Sequence, residues 1–445
     1  MALSGLDIYK LLPKTNCKDC GFATCLAFAM ALAQKKVSLE KCPHVSAQAR
    51  DALESASQPP IKLVTVGVQG AKFEVGNETV MYRHEQKFHH PCAIGFLIDD
   101  TLSKEEISKT LENINELRFE RVGQVIRPDL VCVKNTSGYR NKFLAAVSTV
   151  EAVSKLAIAL YGDDEGTMAE ALKLCREKRP LIVCGEKASS TAFINLAKEF
   201  GVPMAISCAS LEETAEITTT AKAAGVDEIV INLSEKRLSK RIQYFTYIRR
   251  SALKKNFRPL GYPVMAFTEE SDPVLELAEA VTYVTKYAGI IIVKNTDRDF
   301  VYPLLVARQD IYQDPQKPVQ VEAKVYEIGK VTRQSPVLVT TNFSITYFTV
   351  AAEVEASKVP SYIVCCDSEG MSVLTAWAAE KFTAEKIADT LKKSGIEGKV
   401  SHRKVTIPGY VSVLSGKLEE VSGWKVSVGP REASGITNYL RSWKD

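Results

Sequence analysis

Four of the eleven cysteines lie close together near the start of the chain: Cys17, Cys20, Cys25 and Cys42. Their spacing is C-x2-C-x4-C-x16-C, and Pro43 follows the last of them. Such a segment could hold zinc, a disulfide or an iron–sulfur cluster. A structural zinc site more often pairs two C-x2-4-C knuckles, and only one is present here. The Cys-Pro ending is typical of runs that hold [4Fe–4S] clusters in bacterial ferredoxins. The spacing therefore favours a [4Fe–4S] cluster.

The local pattern predicts how these thiols are positioned. Residues 17–21 form a tight turn, a helix covers about 23–34, and Cys42 returns from the far end of a helical hairpin. Free cysteine also behaves as a small apolar side chain, and we assign that structural role to the seven others. They are Cys92, Cys132, Cys175, Cys184, Cys208, Cys365 and Cys366.

Composition limits the class of protein. At 445 residues the chain is expected to form two or three domains, and it is 46% apolar and 25% charged. A net charge of +4 is too small to predict nucleic acid or an anionic membrane as a partner. We find no secretory signal and no run near the roughly 18 apolar residues of a membrane helix. A cytoplasmic protein is expected, in which clustered cysteines are more often metal ligands than disulfides.

Three regions follow one another along the chain. We predict a helical cluster domain at 1–57, a (β/α)8 TIM barrel at 61–312 and an α/β domain at 325–445, with proline-bearing linkers at 57–60 and 314–318. Eight nearly continuous apolar runs predict the barrel strands, with helical segments between most of them. The runs are 62–68, 93–99, 129–134, 180–185, 203–208, 228–233, 263–268 and 289–294. An open doubly wound sheet is the competing interpretation.

The last region alternates strands and helices again, which predicts a small doubly wound, Rossmann-like α/β domain. The predicted strands are 337–341, 362–367, 404–407 and 424–428; the helices are about 344–357, 371–381, 384–394, 411–421 and 432–442. Ligands bind beyond the carboxyl ends of such strands. These ends, at 340–344, 367–372, 408–410 and 429–433, consist mostly of small, hydroxylic or backbone-donating residues. They suit a flat ligand with peripheral amides, and neither a G-x-G-x-x-G fingerprint nor a P-loop is present.

The histidines provide a negative indication. The motif Asp-x-His-x-x-Gly, through which one corrinoid-binding family supplies an imidazole to cobalt, does not occur. The last domain has a single histidine, His402, which precedes a strand and is predicted to be exposed. His84, His89 and His90 fall in a predicted loop before a barrel strand.

Together these features resemble the large (gamma) subunits of corrinoid iron–sulfur proteins of the acetyl-CoA (Wood–Ljungdahl) pathway. The resemblance covers essentially the whole chain. Its most specific part is LSGLDIYKLLPKTNCKDCGFATCLAFAMALA, residues 3–33, followed by Cys42-Pro43.

This resemblance implies a methyl carrier for carbon dioxide fixation, with no catalytic residue of its own. A cobalt corrinoid as Co(I) would take a methyl group from methyltetrahydrofolate with the help of a separate methyltransferase. Methyl-Co(III) would then deliver it to acetyl-CoA synthase/CO dehydrogenase. The implied partners also include a smaller barrel subunit, forming a heterodimer, and a low-potential electron donor or reductive activator. Neither nucleic acid nor a membrane is implied.

The resemblance also assigns residues. Cys17, Cys20, Cys25 and Cys42 would hold the [4Fe–4S] cluster. The implied corrinoid contacts are Thr340, Thr346, Gly370, Met371, Ser372, Val373 and Glu432. With no histidine ligand the cobamide would be base-off, and cobalt without an axial donor returns more easily from Co(II) to Co(I). The cluster would deliver that electron, and the linker would let it approach and withdraw.

Two alternatives remain open. One is a barrel methyltransferase that binds a pterin at its strand ends; the candidate residues are Asp99, Asp100, Asn135, Asn232, Glu269 and Glu270. The other is an iron–sulfur electron-transfer subunit without a corrinoid.

Overall fold

The computed structural model describes residues 5–33, 36–46, 49, 53 and 59–443. The chain divides into two compact units: Met1–Phe119 with Ile126–Gln313, and Glu120–Val125 with Asp314–Asp445. The three domain boundaries expected from the sequence stay predictions. Ser57 and Gln58 of the first predicted linker lie outside the described residues, as does Gln34 at the end of the predicted second helix.

The N-terminal region is a small helical module. Helix α1 covers Gly5–Leu11, α2 covers Cys25–Ala33, and a 3-10 turn covers Leu39–Lys41. Ile8, Leu12 and Phe28 are buried in its own apolar core. The helical character predicted from the sequence is thus confirmed. Cys17 and Cys20 lie between α1 and α2, Cys25 begins α2, and Cys42 directly follows the 3-10 turn.

Eight parallel strands close into a barrel in the order β10-β11-β12-β3-β6-β7-β8-β9, which confirms the central (β/α)8 barrel. The strands up to residue 293 are β1 (Val64–Val66), β2 (Phe73–Val75), β3 (Ala93–Asp99), β4 (Phe119–Arg121), β5 (Gln124–Ile126), β6 (Leu130–Lys134), β7 (Ala157–Gly162), β8 (Leu181–Cys184), β9 (Met204–Cys208), β10 (Ile229–Leu233), β11 (Val264–Phe267) and β12 (Ala288–Val293).

Helices follow the barrel strands. They are α3 (Lys104–Asn115), α4 (Arg140–Val153), α5 (Glu165–Cys175), α6 (Ser190–Phe200), α7 (Leu211–Ala223), α8 (Leu238–Lys255), α9 (Pro273–Thr285) and α10 (Arg298–Ile311), with 3-10 turns at Arg176–Lys178 and Arg258–Leu260. Side-chain caps fix several starts: Ser103 forms a capping box with Glu106, and Asp272 accepts from two N–H groups of α9. No helix among the described residues is long and apolar enough to cross a membrane.

One barrel strand was assigned to the wrong segment. Residues 62–68, predicted as the first barrel strand, contain only the short β1, which pairs with β2 in an antiparallel hairpin outside the barrel. Gly67 has φ +84°, a left-handed conformation that ends the extended run. The eighth barrel strand is β7, which pairs in parallel with β6 and was not predicted. Both segments are apolar, so only the pairing decides which enters the barrel.

The second unit is a five-stranded sheet in the order β13-β15-β14-β16-β17, with β13 antiparallel and the others parallel. Its strands are β13 (Val325–Ile328), β14 (Val337–Thr341), β15 (Ser361–Cys366), β16 (Lys404–Ile407) and β17 (Lys425–Val428). Its helices are α11 (Ser344–Ser357), α12 (Val373–Ala378), α13 (Ala384–Lys393), α14 (Ile396–Lys399), α15 (Ser415–Ser422) and α16 (Ile436–Arg441), with 3-10 turns at Gly409–Leu414 and Ala433–Gly435.

Helices cover both faces of this sheet, which confirms the doubly wound domain. Val337 and Val339 of β14 face one apolar core, whereas Leu338 faces the other. The parallel strands run in the order second, first, third, fourth, so the winding reverses between β14 and β16. In this fold a reversal leaves a crevice at the carboxyl ends of the two strands.

Candidate functional site

The four clustered cysteines differ in exposure. Cys25 and Cys42 are buried, Cys20 is half-buried and Cys17 is exposed. Cys25 and Cys42 belong to the apolar core of the helical module, and Cys20 packs against it. Three of the four predicted ligands therefore contact the same apolar core, while Cys17 is exposed.

Cys17 has polar neighbours that connect it to the segment of Cys42. Its Sγ, the Asp19 carboxylate and a ring nitrogen of His44 lie within 4.8 Å of one another. His44 and Asp19 share a hydrogen bond of 2.6 Å. This bond, and to a smaller extent a hydrogen bond from Cys17, lowers the pKa of Asp19 below its ordinary value. His44 follows Cys42 by two residues. The loop that carries Cys17 and Cys20 therefore contacts the segment that carries Cys42.

The four cysteines offer four thiols in one module, as a cluster of the type expected from the sequence requires. All eleven cysteines lie in the described part of the chain and all are free thiols. Each thiolate of a [4Fe–4S] cube binds a different iron, so the sulfurs need not crowd around one point as zinc ligands do. The apolar core behind Cys25 and Cys42 also shields one side of such a site from water.

The other seven cysteines match the structural role assigned to them. All are buried, and burial raises the pKa of each thiol, to about 12 for Cys132, Cys175, Cys184 and Cys366. A protonated thiol is neither a metal ligand nor a nucleophile. The vicinal pair in β15 is therefore part of the sheet's core.

A cleft of about 270 Å³ opens at the point where the winding of the second sheet reverses. Its lining includes Thr340, one residue before the end of β14, Ile407 at the end of β16, and Thr346 of α11. Ser372, the N-cap of α12, and Val373, its first residue, also line the cleft. Four of the seven predicted corrinoid contacts, Thr340, Thr346, Ser372 and Val373, are thus brought together.

The other three predicted contacts are not among the residues that line this cleft. Met371 lines a neighbouring polar pocket of about 860 Å³. Gly370 has φ +75°, and a Cβ there would lie 3.0 Å from the carbonyl oxygen of Pro318, so glycine shapes this turn. Glu432 accepts a hydrogen bond from the hydroxyl of Tyr410, a residue that lines the cleft.

Several lining residues were not singled out from the sequence. Thr406 and Tyr439 line the cleft and are joined by a hydrogen bond of 3.2 Å between their hydroxyl oxygens. Arg431 adds a positive charge to the rim. Tyr439 lies inside α16, and no strand-end pattern could have found it. Thr406 follows from the strand-end rule once the order of the strands is known, and Arg431 already belongs to the strand end 429–433 named from the sequence.

Two features indicate that the cleft is built for a ligand. The Thr340 hydroxyl is buried and has no hydrogen-bond partner within the described part of the chain, which is unfavourable unless a bound molecule supplies one. At Gly409 a Cβ would approach the Gly429 carbonyl oxygen to 2.6 Å. Glycine therefore lets the two loops pack closely at the cleft, where the Gly409 N–H donates to the Pro430 carbonyl at 3.1 Å.

Asn342 organises the turn beside the cleft. Its Oδ1 accepts from the Ser368 N–H and hydroxyl, both at 2.9 Å, and from the Gly370 N–H at 3.2 Å. This side chain is buried and connects the end of β14 to the turn after β15. It therefore positions the segment from which Ser372 and Val373 reach the cleft.

Comparison with known proteins follows the same division of the chain. A family model described as CO dehydrogenase/acetyl-CoA synthase delta subunit matches residues 63–440, and one described as an Fe-S cluster matches residues 12–44. The chain is 45% identical to the corrinoid/iron-sulfur protein large subunit of Moorella thermoacetica, covering 99% of both chains. The chain belongs to the family of corrinoid/iron–sulfur protein large subunits.

Relatives of this family extend to archaea. The acetyl-CoA decarbonylase/synthase complex subunit gamma of Methanothermobacter thermautotrophicus is 35% identical over 99% of both chains. Among solved structures, dihydropteroate synthase from Xanthomonas albilineans aligns with a TM-score of 0.40 at 14% identity, covering 51% of this chain and 95% of that one.

The second unit has a single histidine, His402, which lies at the amino-terminal ends of the strands, opposite the cleft. His402 precedes β16, and its ring nitrogens engage the Ser335 carbonyl at 3.0 Å and the Lys404 N–H at 3.3 Å. It is half-buried rather than exposed as predicted, because it packs near Trp443. Since the cleft opens at the carboxyl ends of the strands, this imidazole is directed away from it.

The polar residues at the barrel mouth are engaged in loop structure. The Asp100 carboxylate accepts three hydrogen bonds from Thr136 and Ser137, at 2.7–2.9 Å. Asn135 accepts from the Gly138 N–H at 3.1 Å. The other candidates also form hydrogen bonds within the barrel: Asp99 with Thr101, Asn232 with Ser207, Glu269 with Arg241, and the Glu270 N–H with Glu279. The contacts of these strand ends are those of a barrel scaffold.

Proposed function

We propose that the chain is the large subunit of a corrinoid-dependent methyl carrier. It takes a methyl group from methyltetrahydrofolate, with the help of a methyltransferase, and delivers it to acetyl-CoA synthase. The observation that carries the proposal is the combination, in one chain of this family, of the four-cysteine module and a ligand cleft with an unpartnered buried hydroxyl. We assign the cluster to residues 1–57, the barrel to 61–312 and the corrinoid domain to 325–445.

When bound, the corrinoid supplies a cobalt nucleophile for the methyl group and the [4Fe–4S] cluster supplies the electron that restores it. The protein provides orientation and access. The hydroxyls of Thr340, Thr346 and Ser372 offer hydrogen bonds to peripheral amides, and Val373 and Pro408 keep water from the inner part of the cleft. The other three predicted contacts support the cleft indirectly. Gly370 and Met371 belong to the turn before α12, and Glu432 holds the hydroxyl of Tyr410.

The cobamide is proposed to bind base-off, without a protein nitrogen on cobalt. The only histidine of the second unit is held at the amino-terminal edge of the sheet by contacts to Ser335 and Lys404. No imidazole is therefore available at the cleft from this unit. Without such a donor the oxidised states of cobalt are less stabilised, which makes reductive recovery easier.

The cluster is proposed to be held by Cys17, Cys20, Cys25 and Cys42 and to act as the electron inlet. Cys25 and Cys42 anchor it in the apolar core of the module, while the exposed Cys17 leaves one side near the surface. A low-potential electron donor or a reductive activator can reach that side.

The proposed partner at the cleft is a smaller barrel subunit, which completes a heterodimer. Exposed apolar side chains surround the cleft: Ile345, Leu374 and Tyr410 are 66%, 44% and 43% exposed. Such a rim is costly in water and is favourable when a ligand and a partner cover it. Methyltransferase and acetyl-CoA synthase/CO dehydrogenase would then act on the same face in turn.

Substitution of Thr340 by valine is expected to have opposite effects on stability and on binding. The variant removes a buried hydroxyl without a partner, so the free energy of unfolding of the ligand-free protein should rise by about 1 kcal/mol. Corrinoid affinity should fall by about five- to tenfold, since one hydrogen bond is lost. Thermal unfolding and cobalt retention on dialysis measure the two effects.

Thr341→Val is the matched control. Its hydroxyl is also buried and unpartnered, but Thr341 is not among the residues lining the cleft. It should stabilise the protein without changing corrinoid affinity. Equal cobalt retention in both variants would contradict the assigned role of Thr340.

The proposal is tested by an anaerobic absorption and EPR spectrum of the chain purified with its smaller subunit. We expect corrinoid and iron–sulfur signals in the same complex, with cobalt and iron in fixed ratio to protein. A folded complex that contains iron but persistently no cobalt would instead support an electron-transfer subunit. Methyltetrahydrofolate binding to the isolated chain would support a pterin-dependent methyltransferase.

A further inference from the structure

Asn16 stands directly before the first predicted cluster ligand and has an unusual backbone conformation. Its φ is +50°, in the left-handed region. Asparagine tolerates this region better than most residues because its short amide can hydrogen-bond locally. Here the amide of Asn16 forms its hydrogen bond with Cys25, another of the four predicted cluster ligands.

Two reciprocal hydrogen bonds connect Asn16 to Cys25. The backbone N–H of Asn16 donates to the Cys25 sulfur at 3.4 Å, and the Asn16 side-chain oxygen accepts from the Cys25 N–H at 2.8 Å. The pair closes a loop of eight residues, 17–24, that contains Cys17 and Cys20. Cys25, whose sulfur accepts this N–H, is only 6% exposed. Water therefore contributes little to the solvation of the sulfur.

These bonds also fix the start of helix α2. Cys25 is the first residue of α2, and its N–H is one of the donors that a helix leaves without an internal partner. Asn16 satisfies that donor, while the Thr24 hydroxyl accepts from the Ala27 N–H at 3.1 Å. The sulfur of Cys25 therefore lies at the positive end of the helix dipole, with an N–H directed at it.

Hydrogen bonds to thiolate sulfurs influence the reduction potential of an iron–sulfur cluster. An N–H stabilises negative charge on the sulfur, and reduction adds negative charge to the cluster, so the bond favours the reduced state. The side-chain bond matters because it holds Cys25 where the backbone N–H can reach its sulfur. Outer contacts of this kind commonly change metal affinity or activity by 10- to 100-fold.

We propose that Asn16 is a positioning residue that orients Cys25 and raises the reduction potential of the cluster. This inference rests on the proposed function, because it requires Cys25 to be a cluster ligand. In Asn16→Ala the left-handed conformation is disfavoured and the side-chain acceptor is lost, which moves the N–H away from the sulfur. Asn16→Gly keeps the backbone conformation and loses only the acceptor.

The experiment is an EPR-monitored redox titration of the full chain in complex with its smaller subunit, with iron content measured beside it. For Asn16→Ala we expect the ratio of reduced to oxidised cluster at a fixed potential to fall about tenfold, a shift of about 59 mV for one electron. Asn16→Gly should shift in the same direction by less. Exchangeable-proton couplings to the reduced cluster, compared in H2O and D2O, should lose one contribution in Asn16→Ala.

Thr24→Ala is the matched control, because it removes a cap from the same helix without touching a thiol. It should leave the potential unchanged. An unchanged potential in Asn16→Ala, or an equal shift in Thr24→Ala, overturns the role of Asn16. Iron loss in Asn16→Ala with full occupancy in Thr24→Ala supports it. If the wild type itself carries no iron–sulfur cluster, both this inference and the proposed function are overturned.

Discussion

The Cys20→Ala protein is expected to lose its cluster but to accept one methyl group after its cobalt is reduced chemically. Cys20 is half-buried and packs against the core rather than forming it, so the fold should survive the substitution. With one ligand lost, we expect cluster iron to fall by more than about tenfold. After oxidation of the cobalt, recovery with a physiological electron donor should then be absent.

The measurements are iron content, corrinoid spectrum and methyl transfer over several cycles. Cys175→Ala serves as the control, since this cysteine is buried at the end of α5 and has no predicted role in the cluster. It should retain iron and recover as the wild type does. Normal recovery of Cys20→Ala would contradict the cluster as the electron inlet, while failure of the first methyl transfer would show that Cys20 has a role at the cobalt.

Thr346→Trp is expected to abolish corrinoid binding without unfolding the second unit. Thr346 lies on α11 and lines the cleft, and its side chain is half-buried, so an indole there occupies ligand space rather than the protein core. A cleft of about 270 Å³ cannot hold both a tryptophan side chain and a flat ring system. We expect cobalt content to fall more than about tenfold, at unchanged iron content.

Thr349→Trp is the control on the same helix. Thr349 is exposed, its hydroxyl bonds the Ile345 carbonyl at 2.7 Å, and it is not among the lining residues. Cobalt content should remain at the wild-type level, and circular dichroism should be the same for both variants. Full cobalt in Thr346→Trp would place the corrinoid elsewhere.

Much of the local structure could be predicted from the sequence. Strand β14, helix α11 and strand β16 have the predicted bounds, because apolar runs and helical periodicity are local properties. The helix predicted at about 384–394 is α13, and Thr383 caps its start by accepting from the Lys386 N–H at 3.3 Å. The helices predicted at 411–421 and 432–442 begin instead as 3-10 turns, since end geometry depends on the neighbouring loops.

Strand pairing could not be predicted in the same way. The segments 62–68 and 157–162 are similarly apolar, yet only the second lies in the barrel. Hydrogen bonding between strands joins residues far apart in the chain, and Gly67 with its positive φ directs the first segment into a hairpin. The edge strand β13 was missed for a related reason: it is half-exposed and short, so no apolar run marks it.

Residue types and their spacing were enough to indicate the type of chemistry. Cysteine spacing indicated a cluster, small and hydroxylic strand ends indicated a ligand platform, and both are properties of residue type and order. Which of these residues contact one another depends on the fold. The reversal of strand order between β14 and β16 places Thr340 beside Thr406 and Tyr439, and the fold of a short loop brings Asn16 to Cys25. Such contacts depend on pairing and packing across the chain, which composition and periodicity do not encode.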